Sequence, residues 1–162
     1  MVMIGVFFVL LLFLTKRKNF FPSIHQVGGG NIGAPLFPLG LLVCAIIFWE
    51  INPLIFQGAV LIVGLSDGLA GILGQRFGKH SYYITGYKTI EGSLLFFLIT
   101  LSILLSAFFY YKHSISPSLI FFAVISSLVL SFIEGFFGRG WDNLFIPPCA
   151  GLMIYLGFKF IL

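Results

Sequence analysis

The stretch SDGLAGILGQRFGKH, residues 66–80, holds one acid, Asp67, then Gly68, Gly71 and Gly74 at intervals of three, and a basic pair, Arg76 and Lys79. The next polar stretch, KTIEGS at residues 88–93, adds Lys88, Thr89, Glu91 and Gly92. A carboxylate that can hold Mg2+ beside lysine and arginine that neutralise phosphate oxygens is the equipment of nucleotide chemistry. Glycines let backbone approach a polyanion, or let two helices approach each other, and both uses are open to Gly71 and Gly74. Thr89 and Glu91 also suit the start of a helix, as a cap and as an acid near the positive end of the helix dipole. A third acid-bearing stretch, GWDNLFIP at 140–147, supplies Asp142 and Asn143.

A plainer reading stands beside each of these. Asp67 could pair with Arg76 at a helix end, and Lys88 and Glu91, three apart, could pair with each other. Arg76 and Lys79 could serve only membrane orientation, and Asp142 with Asn143 could make a turn before Pro147 and Pro148. Two roles are open to Glu134, metal binding and loop capping. His25, His80 and His113 lack ligand spacing and read as solvated or interfacial. Cys44 and Cys149 lie in apolar runs without the spacing of a metal or redox motif and read as structural. GQRFGKH is not a P-loop, because Leu73 stands where the first glycine belongs and His80 where Ser or Thr belongs. DGLAG opens like the CDP-alcohol phosphotransferase signature, but Gly71 and Ile72 replace its Ala-Arg and its later aspartates are missing.

The elements that must position these residues are apolar. Of 162 residues 59% are hydrophobic, 21 are Phe and only 9% are charged, far below the roughly one quarter of a soluble domain. Apolar runs cover residues 1–14, 35–49, 53–65, 94–111, 118–133 and 144–162, continuous on every face, which suits helices rather than alternating barrel strands. The expectation is an all-α, polytopic membrane protein of six transmembrane helices forming one domain over 1–162. The first run is short against the roughly 17–25 residues of a full span. It reads as an anchor rather than a signal peptide, because its basic cluster TKRKN follows the apolar core instead of preceding it.

If each run crosses once, segments 15–34, 66–93 and 134–143 share a side and hold Lys16, Arg17, Lys18, Arg76, Lys79, Lys88 and Arg139, against Lys112 and Lys159 opposite. The positive-inside rule then puts these loops in the cytoplasm. Asp67, Glu91, Glu134 and Asp142 sort to the same face and only Glu50 to the other. Orientation does not require acids there, and charges at membrane ends mark functional sites by default. A transporter would place its ionisable residues near the bilayer midplane instead.

GAPLFPLG (33–40), SDGLAGILGQRFG (66–78), KTIEGSLLFFLIT (88–100) and GWDNLFIP (140–147), in this order and at these intervals, resemble the C-terminal half of the membrane family of dolichol kinases, phytol kinases and phosphatidate cytidylyltransferase-like proteins. The likeness covers residues 33–162, and KTIEGS and DNLFIP are closest to the phytol and polyprenol kinase branch. The resemblance implies a CTP-dependent lipid kinase acting on a long-chain alcohol such as phytol or dolichol, or else a cytidylyltransferase acting on a lipid phosphate, with Mg2+ in either case. It implies that Asp67 holds metal and nucleotide phosphates, that Arg76, Lys79 and Lys88 neutralise phosphate, and that Glu91 positions Lys88 or the metal. Asp142 and Asn143 complete the site, so that Asp67, Asp142 and Glu91 form the metal set. The partners expected are a lipid, a nucleotide and the membrane, with no nucleic acid. Fuller family members carry further helices upstream, so a homo-oligomer or a partner chain supplying helices is expected, in a prokaryotic plasma membrane. A non-catalytic assembly subunit is the reading of another class, and the survival of all three acid-bearing motifs stands against it.

Overall fold

The computed structural model describes residues 33–114 and 116–160; the expected anchor at 1–14, the cluster TKRKN and His25 lie outside them. Helix α1, Gly33–Phe48, runs through Pro38 to a short turn. Asn52 then accepts a hydrogen bond from the Leu54 amide at 3.0 Å and Pro53 takes the first helical position, where its missing N–H costs nothing. Helix α2, Pro53–Leu61, passes through a π-helical turn, Ile62–Asp67, into α3, Gly68–Phe77. Together they make one 25-residue rod, Pro53–Phe77.

That rod corrects the expectation of a loop from residue 66 to 93. The glycines of GLAGILGQRF each cost a helix roughly 1 kcal/mol relative to alanine. Here the cost is offset by contact, because Ala70 and Gly74 are buried and α3 packs on the helix that follows the next turn. Gly78, extended at φ −67° and ψ 124°, ends the rod. A hairpin follows, β1 Ser81–Tyr83 and β2 Tyr87–Thr89, antiparallel with Tyr82 opposite Lys88. Tyr and Thr favour strands, but three residues are too few to leave a period in the sequence, and the purely all-α expectation is amended by this hairpin.

Thr89 caps α4, Ile90–Lys112, by accepting from the Gly92 amide at 3.2 Å, and His113 closes it in the left-handed region at φ 56°. Ser116 and Pro117 start α5, Pro117–Phe136, and α6 spans Asp142–Phe160. Pro53–Phe77, Ile90–Lys112 and Pro117–Phe136 are long and apolar enough to cross a membrane, and α1 is apolar but shorter. Of the six expected spans, the described residues therefore present three of full length. Ile72, Phe109, Phe121 and Phe132 point outward, as a hydrocarbon solvent allows.

Helix α6 is the hub, packed on α1, α2, α4 and α5. Its Ile146, Ala150 and Ile154 meet a core made by Cys44, Phe48, Ile55, Ala59, Phe96, Leu104 and Phe108. Pro147 and Pro148 lie inside α6 and, lacking N–H groups, leave the carbonyls of Asn143 and Leu144 without helical donors. Gly40 of α1 lies against those two carbonyls: a Cβ there would collide with the Asn143 oxygen and come within 3.0 Å of that of Leu144. The two glycine- and proline-bearing motifs thus meet backbone to backbone, next to Asp142.

Gly40→Leu should therefore force α1 off α6 and cost about 1–3 kcal/mol by overpacking. Gly64→Ala, at a position with nothing within 4 Å, should leave the protein as stable as before. Thermal unfolding in detergent reads both, and an unchanged melting temperature for Gly40→Leu would contradict this contact.

Candidate active site

Lys88, on β2, reaches between two carboxylates that arrive from other elements. Its Nζ donates to Glu134 Oε1 at 2.6 Å, from the end of α5, and to Asp142 Oδ2 at 2.8 Å, from the first residue of α6. Both acids are buried. Burial by itself would favour the neutral amine, but the charges of Glu134 and Asp142 and their hydrogen bonds outweigh it and hold the Lys88 ammonium above the usual lysine range. Ser93 donates to Glu134 Oε2 at 3.1 Å, which leaves the Tyr82 hydroxyl to donate to Ser93 Oγ at 2.6 Å. Asp142 Oδ1 accepts from the Asn143 amide at 3.0 Å, and Asn143 Nδ2 donates to the Gly33 carbonyl at 3.3 Å.

Lys88, Ser93, Glu134, Asp142 and Asn143 line a cavity of about 760 Å³ together with Asp67, Gly71, Gly74 and Arg139, and Tyr82 supports Ser93 from outside the lining. Asp67 enters from the π-helical turn, a distortion that adds a residue to one helical turn and often accompanies functional sites. Among the described residues Asp67 forms no salt bridge. The two uses open to the glycines divide between them. Gly71 has nothing within 4 Å of a would-be Cβ and leaves the cavity wall open; at Gly74 a Cβ would lie 2.7 Å from Thr89 Oγ1 and 3.1 Å from Gly92 Cα, so this glycine lets α3 cross α4 closely.

Of the residues singled out in the sequence, the cavity gathers Asp67, Gly71, Gly74, Lys88, Asp142 and Asn143. It does not gather Glu91, Arg76 or Lys79. Glu91 accepts from the His80 amide at 3.3 Å and pairs with His80 Nδ1 at 2.8 Å on the exposed side of the hairpin, because Lys88 on a strand and Glu91 on a helix do not share the face that a continuous helix would give them. The place beside Lys88 expected for Glu91 is taken by Glu134. Arg76 is exposed, its guanidinium 5.4 Å from the Phe77 ring centroid, and Lys79 is exposed beyond the rod. Sequence reasoning missed Ser93, Tyr82 and Arg139. Glu134 carried a usable signal, an acid at the end of an apolar run, whereas Ser93 and Tyr82 join only through the hairpin.

The cavity lining holds three carboxylates, Asp67, Glu134 and Asp142, against Lys88 and Arg139. An acid excess of this kind fits a divalent cation. Among the described residues no three His, Cys, Asp or Glu side chains converge as a ready-made metal cage. Mg2+ does not need one, since it commonly binds through one or two carboxylates with water and substrate phosphates completing its shell.

Apolar-faced helices around an acidic cavity with a clamped lysine define an integral membrane protein with a polar site near its helix ends. Over 157 residues the chain is 30% identical to the phytol kinase of Synechocystis sp., covering 94% of this chain and 66% of that protein. It is 34% identical over 115 residues to the dolichol kinase of Schizosaccharomyces pombe, covering 66% of this chain and 22% of that protein. With the chloroplastic phytol kinase 1 of Arabidopsis thaliana the identity is 27% over 134 residues, 78% of this chain and 44% of that protein. The chain belongs to the phytol kinase and dolichol kinase family. No protein-family profile and no solved structure matches it.

Glu134→Ala should take one of its two carboxylates from Lys88 and the acceptor from Ser93, leave Asp142 as the remaining counter-ion of the ammonium, and cost about 1–3 kcal/mol, the range for buried hydrogen-bonding groups left without a partner. Glu91→Gln, which loses only an exposed contact to His80, should leave the melting temperature unchanged. The reverse order of the two variants in thermal unfolding would restore Glu91 to the place beside Lys88.

Proposed function

We propose that this chain is a lipid kinase that moves the terminal phosphoryl group of CTP, with Mg2+, to a long-chain prenol-type alcohol such as phytol or dolichol. The observation that carries this reading is the Lys88 clamp: an ammonium held between two buried carboxylates in a cavity with a third acid, Asp67, on its wall. Family membership, with named kinases of phytol and dolichol among the relatives, supports the substrate class.

Phosphoryl transfer is chiefly a matter of positioning and charge stabilisation. Lys88 and Arg139 neutralise phosphate oxygens. Asp67, with Asp142, would hold Mg2+, whose contribution when bound is further charge neutralisation on the phosphates. The alcohol oxygen forms a bond to the terminal phosphorus, the bond from that phosphorus to its bridging oxygen breaks, and CDP leaves with the electron pair. The hydroxyl proton passes to a carboxylate, for which Asp142 is the candidate within the cavity. Glu134, fixed by Ser93 and Lys88, keeps the ammonium in place. The open wall at Gly71 gives the phosphates room to approach backbone. A cytoplasmic site agrees with the charges, because Arg76, Lys79, Lys88 and Arg139 gather at the hairpin end while Lys112 and Lys159 close α4 and α6 at their other ends.

The test supplies the protein in liposomes with Mg2+, phytol or a polyprenol, and CTP labelled at the α or the γ phosphorus. Label is expected in the lipid from the γ position, and chelation by EDTA should abolish it. Label from the α position would make the chain a cytidylyltransferase instead, and folded protein that moved neither label would leave a non-catalytic assembly role. Asp67→Asn should lower transfer by about 10²–10³-fold, the size of losing one electrostatic contact to the transition state. Membrane insertion of that variant should be unchanged.

A further inference from the structure

Beside the acidic cavity lies a second one of about 600 Å³, between the hairpin tip and the α5–α6 loop. Tyr83, Ile84, Phe137, Trp141 and Phe145 form its walls, and Tyr83, Gly138 and Arg139 border both cavities. Its size falls within the roughly 300–1,000 Å³ of small-molecule sites. Phe137 and Phe145 stack at 4.4 Å with Trp141 behind Phe145, so the pocket has a preformed aromatic floor.

The walls are fastened together. Thr85 donates to the Phe136 carbonyl and accepts from the Gly138 amide, both at 2.5 Å. A Cβ on Gly138 would lie 2.6 Å from the Gly86 nitrogen, so only glycine lets loop and hairpin tip meet this closely. Arg139 sits in the left-handed region at φ 58°, disfavoured for a residue with a side chain, followed by Gly140 at φ 91°. That backbone keeps the guanidinium at the shared border, where it donates to the Tyr83 hydroxyl at 3.2 Å.

We infer that this aromatic pocket seats the first branched units of the alcohol's apolar chain, with the hydroxyl reaching past Arg139 into the acidic cavity. The inference deepens the kinase reading and rests on it for the identity of the ligand. The polar groups decide between occupants. A nucleobase needs donors and acceptors for its edge, but the Thr85 hydroxyl is already committed twice and the Tyr83 hydroxyl accepts from Arg139. Donors remain at the Tyr83 hydroxyl, the Trp141 indole and the rest of the Arg139 guanidinium, but most of what the walls expose is ring face and aliphatic carbon, which suits a branched hydrocarbon better than a base edge. The exposed edges of Ile84 and Trp141 leave the pocket open outward, so a chain much longer than the cavity can continue beyond it.

The chain has two tryptophans, Trp49 and Trp141, so Trp49→Phe leaves Trp141 as a reporter in the pocket wall. In lipid nanodiscs, phytol without nucleotide should change the Trp141 emission saturably, and CTP with Mg2+ should not. Ile84→Asp, at an exposed position, should abolish the response and raise the KM for alcohol by about tenfold or more while leaving the KM for CTP unchanged. A response to CTP and none to phytol would overturn the inference in favour of a base site, and no response to either would overturn it outright. Binding is read without turnover, so the two proposals fail separately. Phytol at Trp141 with no label transferred would defeat the kinase and keep the pocket; label transferred with a silent Trp141 would do the opposite.

Discussion

Two buried carboxylates held together by one ammonium are the constraint on which the polar end of this molecule depends. Glu134 ends α5, Asp142 begins α6, and Lys88 stands two residues before α4, so a single side chain fixes where three helices meet. Without Lys88 the two acids would share a poorly solvated space with no ammonium between them, at a cost that the hydrogen bonds from Ser93 and the Asn143 amide offset only in part. A buried ion pair is weak as a device for stability alone, because apolar side chains of equal volume commonly do as well. Its value in this position is that the charges remain at the wall of a cavity that is open to ligands.

Backbone contacts set the distances that the clamp requires. Gly74 and Gly92 let α3 and the first turn of α4 cross almost without side chains between them, which settles the rod bearing Asp67 against the strand bearing Lys88. At the other side, Gly40 lies on the carbonyls that Pro147 and Pro148 leave free, which settles α1 against the start of α6. Weak Cα–H···O contacts are favourable in such a crossing and cannot form if a larger residue separates the helices. Residues that carry no charge thus decide where the charged ones end.

The apolar architecture was legible because hydrocarbon imposes it: runs of Leu, Ile and Phe continuous on every face have no other stable conformation in a bilayer than a helix. The acids Asp67 and Asp142 and the lysine Lys88 were legible as chemistry because charge is rare in such a chain and gathers in three motifs. What the sequence hid were relations set by conformation changes between motifs. Reading Lys88 and Glu91 as helical neighbours assumed one helix through both, whereas β2 ends at Thr89 and α4 begins at Ile90, so the two side chains diverge. The continuation of the rod to Phe77 was hidden by its glycines, which signal a loop locally and helix packing in context. Tyr82 and Ser93 come together only because the hairpin folds one toward the other, a pairing with no periodic trace.

The balance of charge in the cavity also constrains how a nucleotide would enter it. Three carboxylates face Lys88 and Arg139, and Lys88 is already committed to two of the three acids. A bare triphosphate would bring several negative charges into a space with negative charge in excess, at separations where Coulomb repulsion in a partly desolvated site exceeds thermal energy severalfold. On the proposed reading, a divalent cation on the triphosphate would offset part of that charge and would present its own positive charge to Asp67, which forms no salt bridge among the described residues. A preference for a metal-bearing polyphosphate over a metal-free one would then follow from a single arrangement of charges, with Lys88 holding two of the acids in place.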